Sequence, residues 1–297
     1  TSSGTFFGIS VTGAVALFFL IWFYGVKVSR DAFKLDDLTQ ELVEENRQLK
    51  IDKQELKSHG SQVSNPEELN HAIPFIFQVK GRGNKKIALI TGRIEQVGEA
   101  DVWVSSENTD MQMARYYDRS ISGVIRYRGA KKDKAGNVID DIIAKELKIV
   151  VDGKVPVAPT TVFVTDSGEL AKPPNNVKKI FHVASVRGEA GIGYEPVKNI
   201  QFCVSEVLRV ADSEECKASG IKSVLFPLLG AGTAKGNAED IAQKLIPFAL
   251  EYFETTKNSA IEYVYFLART DFEYDVCYRV LQQLEQSGRL VAERGSN

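Results

Sequence analysis

Cysteine and histidine are scarce in this 297-residue chain: Cys203, Cys216 and Cys277 form no CxxC pair, and His59, His71 and His182 are scattered. Their shortage excludes a disulfide scaffold, a zinc ribbon and a histidine metal cluster. An excess of positive charge is missing too, since 37 Lys+Arg face 39 Asp+Glu for a net charge of −2. That balance excludes the strongly basic surface of a nucleic-acid binder. No Ser-His-Asp or Cys-His arrangement can be assembled from the motifs. Apolar material is not lacking: 43% hydrophobic and 9% aromatic residues supply one sizeable core in one or two domains and exclude general disorder. The mean hydropathy of −0.16 averages over one very apolar segment.

From Phe6 to Val26 the sequence FFGISVTGAVALFFLIWFYGV carries no charge. At 1.5 Å per residue a helix of this length crosses a hydrocarbon core of about 30 Å. Trp22, Phe23 and Tyr24 crowd its end, as an aromatic belt would. A signal peptide would need a basic start and a small-residue cleavage site, and a core helix this uniform would need a larger protein around it. Lys27, Arg30 and Lys34 follow, which by the positive-inside rule places the remainder in the cytoplasm behind the inner (plasma) membrane. Unpaired cysteines agree with that reducing compartment. The chain starts at Thr1 and not Met, leaving room for a further span upstream.

A charged, helix-favouring segment follows, with Leu35, Leu42, Leu49 and Leu56 at seven-residue spacing. With leucines at d, the a positions Ala32, Thr39, Asn46 and Lys53 are weak knobs. The parallel g-to-e′ pairings Glu45 with Lys50 and Asp52 with Lys57 are favourable, and a buried Asn46 would set register. The expectation is a self-associating parallel coiled coil; a solitary stalk helix is the alternative. His59-Gly60-Ser61 and Pro66 then break the pattern.

Beyond the break, strand and helix signals alternate. Strands are expected at Ile73–Val79, Lys86–Gly92, a short run from Asp101, Thr161–Val164, Lys179–Ser185, Ser223–Leu229 and Tyr263–Leu267. Helices are expected over Met111–Tyr127, Asn137–Lys148, Pro196–Lys217, Ala238–Phe253 and Phe272–Leu284. Such alternation implies a mixed, largely parallel sheet with helices on both faces, and ligands outside the carboxyl ends of its strands. In SVLFPLLGAGTAKGN (Ser223–Asn237) a buried strand runs into glycines ahead of a helix, a turn whose backbone N–H groups can approach a diphosphate. Lys235 precedes glycine and not Ser or Thr, so the turn is no Walker A loop, and no acidic residue follows at Rossmann spacing. His182 fits a core strand, the cysteines fit helical positions, and the basic loops Lys80–Lys86 and Arg126–Lys134 fit solvated turns, with anionic lipid as the lesser alternative.

The ordered segments resemble a macro domain, the module that binds ADP-ribose and related nucleotides. TGRI (Thr91–Ile94) stands at the Gly-Asp-Ile turn of that family, and DVWVSSEN (Asp101–Asn108) at its Asp-x-Ile-Val-Asn-x-x-Asn strand. SISGVI (Ser120–Ile125) falls at the first phosphate loop, KIFHVAS (Lys179–Ser185) at the Ile-Ile-His-x-Val strand, FPLLGAGTAKG (Phe226–Gly236) at the second phosphate loop and FLARTDFEY (Phe266–Tyr274) at the last strand. The resemblance covers about residues 72–290 and implies a three-layer α/β/α sandwich with a mixed sheet.

Departures from the pattern carry information as well. Arg93 replaces the adenine-reading Asp and cannot accept a hydrogen bond. Reading of the base falls to another group. Ser105 replaces the first Asn while Asn108 keeps the second; Asp118-Arg119-Ser120 replace glycines; Ser122 stands where hydrolytic members have an acid. Arg119 could hold a phosphate, and Phe272, directly after a strand, could stack a base.

The domains expected are a transmembrane helix at 1–27, a coiled-coil stalk at 28–58, a linker at 59–71, a macro-type nucleotide-binding domain at 72–290 and a disordered tail at 291–297. The ligand-binding set is Gly92, Arg93, Ile94, Ser105, Asn108, Arg119, Ser120, Ile121, Ser122, Leu229, Gly230, Ala231, Gly232, Thr233, Ala234 and Phe272, with no catalytic residue, metal ligand or cofactor. In architecture the chain resembles the transmembrane-macro effectors of bacterial Thoeris anti-phage defence. That resemblance implies an NAD-derived ADP-ribose conjugate as ligand, a TIR-domain protein as its producer, and membrane disruption as the output. A membrane-bound ADP-ribosyl hydrolase and a docking scaffold for ADP-ribosylated partners are the alternatives.

Overall fold

A computed structural model describes residues 74–293 except 119, 190–192 and 233. The expected span at Phe6–Val26, the stalk at 28–58 and the linker at 59–71 lie outside the described residues. Among the described residues no helix is long and apolar enough to cross a membrane.

The strands are β1 (Phe75–Val79), β2 (Lys86–Thr91), β3 (Val102–Asn108), β4 (Lys131–Lys132), β5 (Val138–Asp140), β6 (Val162–Asp166), β7 (Lys179–Glu189), β8 (Gly193–Pro196), β9 (Ser223–Pro227), β10 (Tyr263–Ala268) and β11 (Leu290–Ala292). The helices are α1 (Ile121–Gly129), α2 (Ile142–Val151), α3 (Phe202–Ala211), α4 (Glu214–Ala218), α5 (Ala238–Thr255) and α6 (Asp271–Gln286). The main sheet runs β11-β1-β2-β10-β9-β3-β7-β6, with β8 paired to β7. β2, β10, β9, β3 and β7 are mutually parallel, while β1, β11, β6 and β8 pair antiparallel.

Strict alternation along the central strands builds two cores. Val102 and Val104 of β3, with Val264 and Phe266 of β10, face the cluster that receives Cys203, Leu245 and Leu281 from α3, α5 and α6. Trp103, Tyr265 and Leu267 face the opposite cluster with Ile125 of α1 and Leu147 of α2. A strand buried on both faces reads as a continuous apolar run, which is the pattern of VLF and YFLA. The mixed sheet and three layers agree with expectation.

Four expectations need correction. The apolar spacing at Met111–Tyr127 is not one helix: Met111 has φ 51°, residues 111–118 are irregular, and α1 starts only after Ser120, whose hydroxyl accepts the Gly123 N–H and caps it. Over Asn137–Lys148, residues Val138–Asp140 form a hairpin with Lys131–Lys132, turned by Asp133 Oδ1 accepting from the N–H groups of Ala135 and Asn137 at 2.9 and 2.8 Å. The stretch Pro196–Lys217 divides because Pro196 ends β8 and Ser213 starts a new helix by accepting the Cys216 N–H. Finally, the first residues of the tail expected at 291–297 are a strand, since Val291 and Ala292 pair with Gln78 and Phe77 and give β1 an outer neighbour.

Candidate functional site

Chain direction fixes where a ligand can enter. From β3 the chain departs to α1 on one face of the sheet and then to β6 and β7; from the adjacent β9 it departs to α5 on the other face and then to β10. Connections leaving neighbouring strands in opposite directions open a crevice at their carboxyl ends. The turn after β2 joins this edge through a 2.9 Å bond from Gly92 N–H to the Ala268 carbonyl at the end of β10. Four connections, beginning at Gly92, Asn108, Leu228 and Arg269, therefore share one edge, and they carry the described members of the expected set except Ser105, which lies within β3.

The turn after β9 is the glycine segment. Ala231 N–H bonds the Leu228 carbonyl at 3.1 Å, Lys235 N–H bonds Gly232 at 2.9 Å and Gly236 N–H bonds Gly230 at 3.0 Å, so the loop closes on itself. Asn237 then caps α5, its Oδ1 accepting from Glu239 and Asp240 N–H at 2.9 and 3.2 Å. The glycines differ in what demands them. Gly230 has φ 78° and a Cβ there would lie 3.0–3.2 Å from Ile200 and Pro196; one at Gly236 would lie 2.7 Å from the Gly230 carbonyl oxygen. Gly232 has no positive φ and a Cβ there would meet nothing within 4 Å. Packing requires the first two, whereas the protein itself requires nothing of the third. Leu229 and Ala234 are buried, Ala231 is half-buried and Gly232 is exposed; Thr233 lies outside the described residues.

In the turn after β3, side chains replace glycines. Asn108 Oδ1 accepts the Gln112 N–H at 3.0 Å, and its Nδ2 reaches the Gly188 carbonyl at 3.4 Å. Asp118 Oδ2 accepts the Arg115 N–H at 2.9 Å. Arg115 itself is exposed at this edge, with Nη1 3.0 Å from the Tyr117 hydroxyl. Ser105, Ile121 and Ser122 are buried, so any contact from them to a ligand would be made by backbone; Arg119 lies outside the described residues.

Behind this turn lies a polar cluster that sequence reading missed. Glu107, only 1% exposed, receives Ser105 Oγ at 2.5 Å, Ser122 Oγ at 2.9 and 3.1 Å and His182 Nδ1 at 3.1 Å. His182 Nε2 lies 3.0 Å from Thr165 Oγ1. His182 is thus a satisfied core histidine, as its strand suggested. The residues come from β3, β6, β7 and α1, and Ser105 and His182 are register partners. A carboxylate only accepts, so three converging donors satisfy it and place the imidazole proton on Nδ1. The available signal was period two: Ser105 and Glu107 follow Trp103 on one face of β3.

At the turn after β2, Arg93 is exposed and ion-paired with Glu95, whose carboxylate also lies 3.9 Å from Arg128. Ile94 is buried. Phe272, 59% exposed in the first turn of α6, offers a free aromatic face at the same edge. Burial pushes the Cys203 and Cys277 thiols up to about 12, so neither is a nucleophile at neutral pH. Among the described residues no group of three or more His, Cys, Asp and Glu could hold a metal.

Residues 128–245 match the family model for the macro domain. Among solved structures, a mutant of the Oceanobacillus iheyensis macrodomain is 12% identical, covers 75% of this chain and 98% of its own, and has a TM-score of 0.52. Another mutant of that macrodomain, with ADPR, is 11% identical over 71% of this chain and 99% of its own, with a TM-score of 0.50. The same macrodomain with MES bound is 12% identical over 71% and 98%, also at 0.50. No curated protein matches the chain. Likeness at these identities establishes the fold, which is that of a macro domain, and the matched residues include the glycine turn after β9.

Proposed function

We propose that this macro fold binds a nucleotide of the ADP-ribose type in the crevice between the β3 and β9 turns. The observation that carries the proposal is Gly232: an exposed glycine that neither backbone conformation nor packing requires, in a turn leading to the capped start of α5. Open space over a glycine admits a phosphate close to backbone N–H groups, and the helix start adds favourable dipole. The solved Oceanobacillus iheyensis macrodomain with ADPR supports the choice of ligand class. Phe272 is assigned to the base and the glycine turn to the diphosphate.

The domain is further proposed to bind without turnover. Ser122, where hydrolytic relatives carry an acid, is buried and bonded to Glu107 and Ala114, and the one carboxylate beside it is enclosed by three donors. A general base must reach its water, which these groups do not. In the full chain the domain is assigned to the cytoplasmic side of the membrane, anchored by residues 6–26 and self-associated through 28–58, with ligand binding repacking the membrane helices. The source of the signal is assigned to a TIR-domain partner acting on NAD, and the output to membrane disruption in phage defence, on the resemblance of architecture.

Calorimetry on the full chain in detergent tests the binding step: ADP-ribose should bind with no release of product from an ADP-ribosylated protein. Release of free ADP-ribose would favour the hydrolase. Deleting residues 6–26 should abolish toxicity while affinity stays within about twofold. Toxicity that survives the deletion would defeat the membrane role.

A further inference from the structure

One residue in the turn after β3, Ala114, is held through both of its backbone polar groups by α1. The Ala114 N–H donates to Ser122 Oγ at 3.1 Å, and the Ala114 carbonyl accepts from Arg126 Nη1 at 3.0 Å. Ser122 and Arg126 are four residues apart, hence neighbours on one helical face. The same Nη1 reaches the Met113 carbonyl at 3.4 Å, while Arg126 Nε and Nη2 lie 2.9 and 2.8 Å from Asp141 Oδ2, just ahead of α2. The Tyr116 ring covers the guanidinium at 4.6 Å. At the other end, Ser122 donates to Glu107, which leaves its lone pairs for the Ala114 N–H.

We propose that Arg126 is a positioning residue for the nucleotide site, clamping residue 114 with Ser122 so that the turn carrying Arg115 and leading to the start of α1 is preformed for its ligand. This rests on the nucleotide-binding function above. The physical reason is entropy: a turn without glycine's close backbone approach still binds tightly when its geometry is set before the ligand arrives. Asp141 aims the guanidinium, which ties the β4–β5–α2 segment to the site. Arg126 is a poor candidate for direct contact, since every guanidinium nitrogen already faces a protein oxygen.

The test is a binding and exchange series on the full chain with ADP-ribose as probe. Arg126→Ala should weaken binding about tenfold or more and speed amide exchange at residues 112–116, with partial recovery in Arg126→Lys, which restores charge but not the fork. Asp141→Asn should weaken binding about threefold, and that effect should vanish in the Arg126→Ala background. Faster exchange with affinity unchanged in Arg126→Ala would overturn positioning while leaving nucleotide binding intact. Should Arg126→Ala fail to fold, Asp141→Asn decides, and unchanged affinity there overturns the proposal. Absence of ADP-ribose binding by the unmodified chain would overturn the proposed function and this role with it.

Discussion

Gly232→Val separates ligand approach from folding. A Cβ at Gly232 meets nothing within 4 Å, the residue is exposed and it has no positive φ, so the first side-chain carbon of a valine meets no neighbour and needs no left-handed backbone. Unfolding free energy should stay within about 0.5 kcal/mol of the parent chain, as for a surface position. Binding should respond very differently, because the added methyls occupy the space through which a phosphate would reach the turn. If two charge-assisted N–H contacts are lost at about 1.5 kcal/mol each, the sum of about 3 kcal/mol is roughly a hundredfold in affinity. Calorimetry with ADP-ribose measures the loss, and urea denaturation measures stability. Gly236→Val is the control: its Cβ would lie 2.6 Å from Ile241 Cδ1 and 2.7 Å from the Gly230 oxygen, so it should fail in folding first. Unchanged affinity in Gly232→Val would refute the placement of the diphosphate; destabilisation like that of Gly236→Val would refute the claim that the fold does not need this glycine.

Three further outcomes are expected. Glu107→Ala strips the acceptor from Ser105, Ser122 and His182 and should cost about 3–5 kcal/mol, read as a lower urea midpoint; a change under about 1 kcal/mol would show that the cluster rearranges freely. Phe272→Ala should weaken nucleotide binding by about 1 kcal/mol through lost stacking, with the melting temperature unchanged because the ring is exposed; equal binding would remove Phe272 from the site. Cys203 and Cys277 should resist alkylation in the folded chain. Their thiols are raised to about 12 against about 8.5 in the unfolded chain, so their contribution to stability is complete below about pH 8.5 and is lost as pH rises toward 12. Rapid labelling at pH 8, or stability flat across that window, would contradict their burial.

Much of the fold was legible because its strands are buried on both faces. Runs such as VLF before Gly230 and YFLA before Arg269 have no polar interruption, and the caps Asn237 and Thr270 start their helices by local hydrogen bonds that neighbouring residues dictate. The errors fell where local and tertiary demands differ. Met111 has helical spacing with Ile121 and Ile125, yet it and Met113 reach the same core from an irregular turn, since a core rewards burial whatever the backbone does. The candidate site divides in the same way: the glycine turn could be read, whereas Glu107 and Arg126 could not, because all of their partners but Ser105 lie on other elements.

The sequence alone determined the central strands β2, β3, β7, β9 and β10, the helices α5 and α6, and that a glycine turn precedes α5. Those features depend on side chains within a few residues of one another. Only the tertiary structure decided which glycine is free for a ligand, that Ser105 and Ser122 turn inward to Glu107, and that Arg126 reaches residue 114 and Asp141 together. Those outcomes depend on which strands become neighbours and which way the chain leaves them, and packing of the whole sheet settles both.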